Sequence, residues 1–217
     1  MPISEAYNMD CMEYMRSIPD QHFDIAIVDP PYGLDKHSTH GRGKLRGRIL
    51  NTGNIQQWDE RPSEEYFAEL RRVSKHQIIW GGNYFPLPPT RCFVCWDKAQ
   101  PWSNFSQCEL AWTSYDKPAK LYRFDNRTKD KIHPTQKPVE LYAWLLSTFM
   151  TEGGGKILDT HLGSGSSRIA AYKLGFDFVG CEINAEYFRL ADERFKRECL
   201  GEVKINNSQT LIQGSLF

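Results

Sequence analysis

The sequence lacks several features that mark whole classes of protein. It has no apolar run of about 18 residues or more, so it predicts no helix that crosses a membrane. Its N-terminus lacks the basic segment and apolar stretch of a secretory signal, and we therefore expect a cytoplasmic protein. It also lacks internal repeats and low-complexity tracts, and its 217 residues predict a single domain, 1–217, that can bury a proper core.

The sequence has few residues arranged to hold a metal ion. Six cysteines are scattered along the chain, and Cys92 and Cys95 form the one C-x-x-C pair. Zinc sites need further ligands at set spacings, so we predict reduced, mostly buried thiols and no metal site. His37 and His40 lie in a glycine-rich basic stretch and are interpreted as solvated or facing phosphate.

An acidic, proline-stiffened tetrapeptide follows the apolar run Phe23–Val28, which is typical of a buried parallel strand. In the sequence Asp29-Pro30-Pro31-Tyr32, each proline restrains the residue before it and lacks its own N–H. Ligands of open α/β sheets bind just beyond the carboxyl ends of strands. An ordinary turn would also explain these residues. The alternative is a site in which the Asp29 carboxylate and the Pro30 carbonyl accept the protons of an aromatic amine, while Tyr32 stacks on its ring.

A glycine loop between a strand and a helix makes the second interpretation stronger. The apolar run Lys156–Asp159 leads into residues 160–167, Thr-His-Leu-Gly-Ser-Gly-Ser-Ser, and then into a helical pattern over 168–174. Such a loop can cradle an anionic group at the helix N-terminus. Glu182 follows about twenty residues later at the end of the next predicted strand, which suits a ribose diol. A dinucleotide is less well matched, because the three-glycine fingerprint is incomplete.

Together these segments resemble the S-adenosylmethionine-dependent amino-methyltransferases of DNA, which form N6-methyladenine or N4-methylcytosine. The tetrapeptide matches the family's catalytic motif, residues 159–167 match its cofactor loop, and residues 133–138 contain its segment His-Pro-Thr-Gln-Lys-Pro in full. The catalytic motif precedes the cofactor loop, which resembles the β order of motifs. The resemblance covers nearly the whole chain and implies that S-adenosylmethionine is converted to S-adenosylhomocysteine. It also implies a protein that acts in a bacterium or a phage-infected host cell.

The alternation of strands and helices predicts a doubly wound, mostly parallel α/β sheet with helices on both faces. The resemblance sharpens this to a Rossmann-like methyltransferase fold with seven strands, one of them antiparallel. It also implies the roles of individual residues. The catalytic set is Asp29, Pro30, Pro31 and Tyr32. The cofactor set is Asp10, Cys11, Asp29, Thr135, Lys137, Asp159, His161, Gly163, Ser164, Gly165, Ser166, Ser167, Glu182, Ile183 and Asn184, with Asp10 and Cys11 near the adenine and Thr135 and Lys137 near the methionine end.

The cofactor loop departs from the family pattern at two positions. Thr160 stands where proline is usual, and His161 stands where phenylalanine is usual and forms a wall of the cofactor and base pocket. We favour the interpretation that His161 is a conservative replacement, since its ring is also flat. The alternative is that His161 becomes protonated at mildly acidic pH and weakens the binding of the cationic cofactor.

Duplex DNA as a partner requires local positive charge, although the chain has 27 basic and 27 acidic residues and no net charge. One stretch within residues 33–60 supplies it without any acid between its basic side chains. These are Lys36, Arg42, Lys44, Arg46 and Arg48. A solvated loop is the alternative, but the position directly after the tetrapeptide favours contact with DNA around an extruded base. Residues 114–132, with a more dilute basic pattern, occupy the place of a short target-recognition segment.

Adenine is the preferred target, because Asp in the first motif position is more typical of adenine enzymes. N4 of cytosine, adenine in structured RNA, and a non-catalytic DNA-binding regulator stay open as alternatives. Residues 203–217 are predicted to be a flexible tail. The final residues 213–217, Gln-Gly-Ser-Leu-Phe, resemble the peptides by which bacterial replication proteins dock on the sliding clamp, although packing on the chain's own domain is preferred. A homodimer and a partner restriction enzyme are left open.

Overall fold

The computed structural model describes residues 1–33, 60–100, 106–125, 131–133, 135–150, 154–206 and 209–212. The predicted DNA contacts Lys36, Arg42, Lys44, Arg46 and Arg48 lie outside the described residues. So do the histidines at positions 37 and 40 and the clamp-like peptide 213–217. These predictions stay predictions.

An eight-stranded sheet forms the centre of the described structure, in the spatial order β1-β8-β7-β2-β3-β5-β4-β6. Only β5 runs antiparallel to its neighbours, as the resemblance implies. The strands are β1 (Ser4–Tyr7), β2 (Phe23–Val28), β3 (Ser74–Trp80), β4 (Phe93–Asp97), β5 (Cys108–Thr113), β6 (Lys120–Arg123), β7 (Lys156–Asp159) and β8 (Asp177–Cys181).

The predicted count of seven strands is wrong by one. The strands β1 and β6 lie at the two edges of the sheet, are four residues long and alternate between half-buried and exposed side chains. Neither has an apolar run, so neither gives the pattern of a buried strand. Strand β6 also lies within residues 114–132, the predicted target-recognition segment.

Five helices flank the sheet within the described part of the chain. They are α1 (Cys11–Arg16), α2 (Glu64–Val73), α3 (Val139–Phe149), α4 (Ser166–Lys173) and α5 (Ala185–Cys199). The Asp10 carboxylate caps α1 by accepting the Met12 and Glu13 N–H groups, and Ser63 and Asn184 cap α2 and α5 with their side chains. These capping residues mark where each helix begins, and their side chains accept hydrogen bonds from N–H groups that have no partner within the helix. None of the described helices is long and apolar enough to cross a membrane.

The core has two parts because the central strands are buried on both faces. On β2, Ile25 and Ile27 pack with α3 and α4, whereas Ala26 and Val28 pack with α1 and α2. Successive side chains of a strand point to opposite faces, so double burial gives the continuous apolar run seen in the sequence. A rigid central strand therefore ends directly at Asp29.

One feature of the described structure differs from the sequence expectations, and a second lies within a segment whose prediction stays open. Residues 203–206 and 209–212 belong to an antiparallel strand pair separate from the main sheet, β9 (Glu202–Asn206) and β10 (Gln209–Ile212), and the flexible tail 203–217 stays a prediction. All six cysteines are free thiols, but only Cys92 and Cys181 are buried and Cys108 is exposed. The expectation of mostly buried thiols is therefore wrong.

Candidate active site

A cavity of about 720 Å³ opens where β2, β7 and β8 end, and each predicted motif contributes to its walls. A smaller pocket of about 110 Å³ adjoins it beside Asp10, His161 and Glu182. Of the predicted residues, the cavity is lined by Asp10, Cys11, Asp29, Pro30, Pro31, Tyr32, Thr135, Lys137, His161, Gly163, Ser164, Ser166, Glu182, Ile183 and Asn184. Asp159, Gly165 and Ser167 do not line it.

The Asp29 carboxylate is held from two sides. Its Oδ1 accepts a hydrogen bond of 2.7 Å from the Tyr32 hydroxyl, and its Oδ2 forms an ion pair with the Lys137 ammonium. The Asp29 side chain is only 16% exposed, so both contacts act in a region with little water to weaken them. The carboxylate therefore keeps one orientation at the wall of the cavity.

The Tyr32 ring, which we predicted to stack on the target base, is itself packed against protein groups. Its ring stacks on Tyr84 with centroids 4.9 Å apart, and it covers the backbone of Gly81. A Cβ at Gly81 would lie 2.2 Å from Tyr32 Cε1, and Gly81 also has a positive φ of 68°, so glycine is required there. Burial raises the pKa of Tyr32, which keeps its hydroxyl a proton donor toward Asp29. The sequence prediction missed both Gly81 and Tyr84.

Lys137 connects Asp29 to Glu109, a second acid that the sequence prediction missed. The Lys137 Nζ lies 3.1 Å from Glu109 Oε2, and Lys98 Nζ lies 2.5 Å from Glu109 Oε1. Burial disfavours the charge of Glu109, but the two ammonium groups outweigh it and hold its pKa at about 2. Charges therefore alternate in sign from Asp29 to Lys98. A lone acid in the mostly apolar strand β5 is the signal that could have found Glu109.

The loop between β7 and α4 is organised by a buried carboxylate below it. Asp159 Oδ1 accepts the His161 N–H at 3.0 Å, and Asp159 Oδ2 accepts the Ser167 hydroxyl at 2.5 Å. From the other side, buried Arg194 donates to Ser164 O at 3.1 Å and to Ser166 Oγ at 2.8 Å. The geometry gives Asp159 and Ser167 the role of shaping the loop that faces the cavity.

Glu182 ties the end of β8 to the glycine loop. Its Oε2 accepts the Gly163 N–H and its Oε1 accepts the Asn184 N–H, each at 2.9 Å. Gly163 has a positive φ of 52°, which few other residues adopt, and this turn aims its N–H at the carboxylate. Burial raises the pKa of Glu182, while these N–H groups favour its ionised form. The carboxylate lines the cavity with lone pairs left for a ligand.

His161 forms part of the cavity wall and belongs to a polar chain with Tyr66 and Thr160. The Tyr66 hydroxyl lies 2.6 Å from Thr160 Oγ1, which lies 2.9 Å from His161 Nδ1. Burial lowers the pKa of His161 to about 4, so its ring is neutral at mildly acidic pH. This favours the conservative-replacement interpretation over the pH-sensing one.

Asp159 predicts a specific pH dependence of stability. Burial raises the pKa of its carboxyl to about 7, against the effect of its two hydrogen bonds. Because the pKa in the folded chain is higher than in the unfolded chain, this group's stabilisation is present at low pH and is lost as pH rises through the folded value. We expect wild type to lose about 1 kcal/mol more unfolding free energy than Asp159→Asn between about pH 6 and about pH 8. Urea denaturation at the two pH values measures the difference, and equal losses would contradict it.

The model of the DNA methylase family N6_N4_Mtase matches residues 79–193, more than half of the chain. The chain belongs to this family. The type II methyltransferase M2.MboI of Moraxella bovis is 24% identical over 241 residues, covering 87% of this chain and 86% of that protein. The chain is therefore a DNA amino-methyltransferase that uses S-adenosylmethionine, and the family leaves both adenine N6 and cytosine N4 open as its target.

Solved structures of DNA methyltransferases share the fold. The M1.HpyAVI–SAM complex matches with a TM-score of 0.56 and 21% identity, covering 88% of this chain and 98% of that one. The cytosine-N4-specific PvuII DNA methyltransferase matches with a TM-score of 0.59 and 16% identity, covering 89% of this chain and 87% of that one. At these identities the likeness extends to the fold alone.

Proposed function

We propose that this methyltransferase transfers the methyl group of S-adenosylmethionine to N6 of an adenine that is flipped out of duplex DNA. The observation that carries the proposal is the Asp29 carboxylate, fixed by Tyr32 and Lys137 in the same cavity as the glycine loop and Glu182. An acceptor held in this way suits an amino group that gains positive charge during reaction.

The cavity fits the cofactor by the chemistry of its walls. The Glu182 carboxylate offers acceptors to the ribose hydroxyls, and the glycine-serine loop with Thr135 offers donors to the methionine end. The small pocket beside Asp10, Cys11 and His161 suits the adenine. Ile183 is 65% exposed at that pocket although its side chain is apolar, so a flat ring seated there would remove apolar surface from water. When bound, the cofactor supplies an electrophilic methyl group on a sulfonium.

The protein's own residues then act on the base. Extrusion from the duplex costs a few kcal/mol, and contacts to the surrounding phosphates offset it. We assign these contacts to Lys36, Arg42, Lys44, Arg46 and Arg48, and target recognition to residues 114–132. The Asp29 carboxylate and the Pro30 carbonyl accept the two amino protons, which stabilises positive charge as the nitrogen bonds to the methyl carbon. Asp29 accepts the released proton only after attack, because an aromatic amine is too weak an acid to lose it first.

Nucleoside analysis of methylated DNA tests the choice of base. Wild-type protein is incubated with labelled S-adenosylmethionine and unmethylated duplex DNA, and the DNA is digested to nucleosides. The expected product is N6-methyldeoxyadenosine. Label in N4-methyldeoxycytidine would show that cytosine, not adenine, is the target. Label found only in a parallel sample of structured RNA would show that RNA is the substrate. DNA binding without any transfer would support a non-catalytic regulator.

A further inference from the structure

Glu109 belongs to none of the motifs described above, yet it contacts the residue that holds Asp29. It lies on β5, the antiparallel strand of the eight-stranded sheet, and its carboxylate reaches the cavity wall. Its Oε2 is buried and faces Lys137 Nζ at 3.1 Å. The antiparallel strand thus supplies a charge to the wall of the cavity that opens at the ends of the parallel strands.

Lys137 is the link between the two acids. Its side chain is only 3% exposed, and its ammonium lies against both carboxylates and 5.1 Å from the centre of the Trp80 ring. Burial disfavours its charge, but Asp29 and Glu109 outweigh burial and raise the pKa of Lys137. With its ammonium committed to these partners, Lys137 has little left to offer the methionine end of the cofactor, the role that the resemblance gives it.

The charge of Glu109 matters for the reaction because Lys137 alone would weaken Asp29. An ammonium against Asp29 fixes its orientation but also cancels its negative charge. Lys98 binds the remaining Glu109 oxygen and holds the carboxylate in place, so the four groups together carry no net charge. Glu109 nevertheless contacts the Lys137 ammonium directly, whereas Lys98 contacts only the other oxygen of Glu109. Glu109 therefore offsets the charge of Lys137 and leaves more of the negative charge of Asp29 to stabilise the positive charge developing on the base.

We infer that Glu109 is a positioning residue for Asp29 and acts through Lys137, an inference that rests on the proposed methyl transfer. Glu109 itself touches neither the base nor the cofactor in this scheme. Its removal should therefore lower the rate of methyl transfer without changing the affinity for the cofactor.

A double-mutant cycle tests this role. We compare wild type, Glu109→Gln, Lys137→Met and the double variant by kcat for DNA methylation and by the calorimetric Kd for S-adenosylhomocysteine. Glu109→Gln should lower kcat about tenfold and Lys137→Met about a hundredfold. The double variant should match Lys137→Met, because residues that act in one chain are not additive. The Kd should stay at the wild-type value in all of them.

Three results would overturn the inference. The first is a wild-type kcat in Glu109→Gln, and the second is a double variant whose loss of kcat equals the losses of the two single variants combined. The third is a Kd raised about tenfold or more in Lys137→Met with kcat retained, which would place Lys137 on the cofactor. If Lys137→Met fails to fold, Glu109→Gln decides alone, since it removes charge and keeps shape. Glu193→Gln, which changes a half-buried partner of Arg189 on α5, is the matched control.

The failure of this inference can be told apart from the failure of the proposed function. If wild type transfers no methyl group to nucleic acid, both are overturned. If wild type methylates DNA and Glu109→Gln does so equally well, only the role of Glu109 is overturned.

Discussion

Asp29→Ala should reduce kcat for DNA methylation by about a thousandfold, the largest effect expected from any single substitution in this chain. The variant loses the charged acceptor for the amino protons and leaves the Lys137 ammonium facing the reacting nitrogen. That ammonium would repel the positive charge that develops there. The initial rate of transfer of the labelled methyl group to duplex DNA, measured in timed samples at saturating substrate, gives the effect.

Cofactor binding separates loss of chemistry from loss of structure in this experiment. The contacts that shape the cofactor part of the cavity, from Asp159, Arg194 and Glu182, do not involve Asp29. The Kd for S-adenosylhomocysteine should therefore stay near the wild-type value. Asp20→Ala, which removes an exposed acid paired with Arg72, is the control. Retained methylation in Asp29→Ala would exclude the carboxylate from catalysis.

The central part of the fold and the main motifs can be predicted from sequence because their signals are local. Strands β2 and β7 are buried on both faces and give apolar runs, and each is followed at once by a distinctive segment. Topology then places these segments together, since the carboxyl ends of parallel strands share one edge. The helix starts at Ser63 and Asn184 are equally local, because a capping side chain reaches only the next turn.

The residues that support the site cannot be predicted in the same way. Glu109, Tyr84 and Arg194 lie far along the chain from the groups they contact, and each contact depends on how strands and helices pack. No spacing in the sequence encodes that packing. The acid in the mostly apolar strand β5 is a signal for Glu109, but it does not identify the partner of that side chain.

The resemblance gives one role to residues that make different contacts in the structure. It places Asp159, His161 and Lys137 together on the cofactor, whereas each of the three has a different location relative to the cavity. Asp159 lies under the loop, His161 faces the cavity, and Lys137 pairs with Asp29. A motif fixes which residues occur near a site, and only coordinates distinguish those that line it from those that hold its walls.

Glu182→Ala should raise the Kd for S-adenosylhomocysteine by about a hundredfold, the largest effect on cofactor binding that we expect from a single substitution. Two hydrogen bonds from the ribose hydroxyls to a carboxylate are worth about 3 kcal/mol or more together. The substitution also leaves the Gly163 and Asn184 N–H groups without their acceptor, so the loop itself loses support. Calorimetry on wild type and variant measures the total, and Glu186→Gln in the first turn of α5 serves as the control.

A deoxy analogue isolates the ribose contact from the effect on the loop. Wild type should bind S-adenosylhomocysteine that lacks both ribose hydroxyls about a hundredfold more weakly than the natural compound. Glu182→Ala should bind the two compounds equally, because the acceptor that distinguishes them is gone. If the variant still prefers the natural compound as strongly as wild type does, Glu182 acts on the loop and another group holds the ribose.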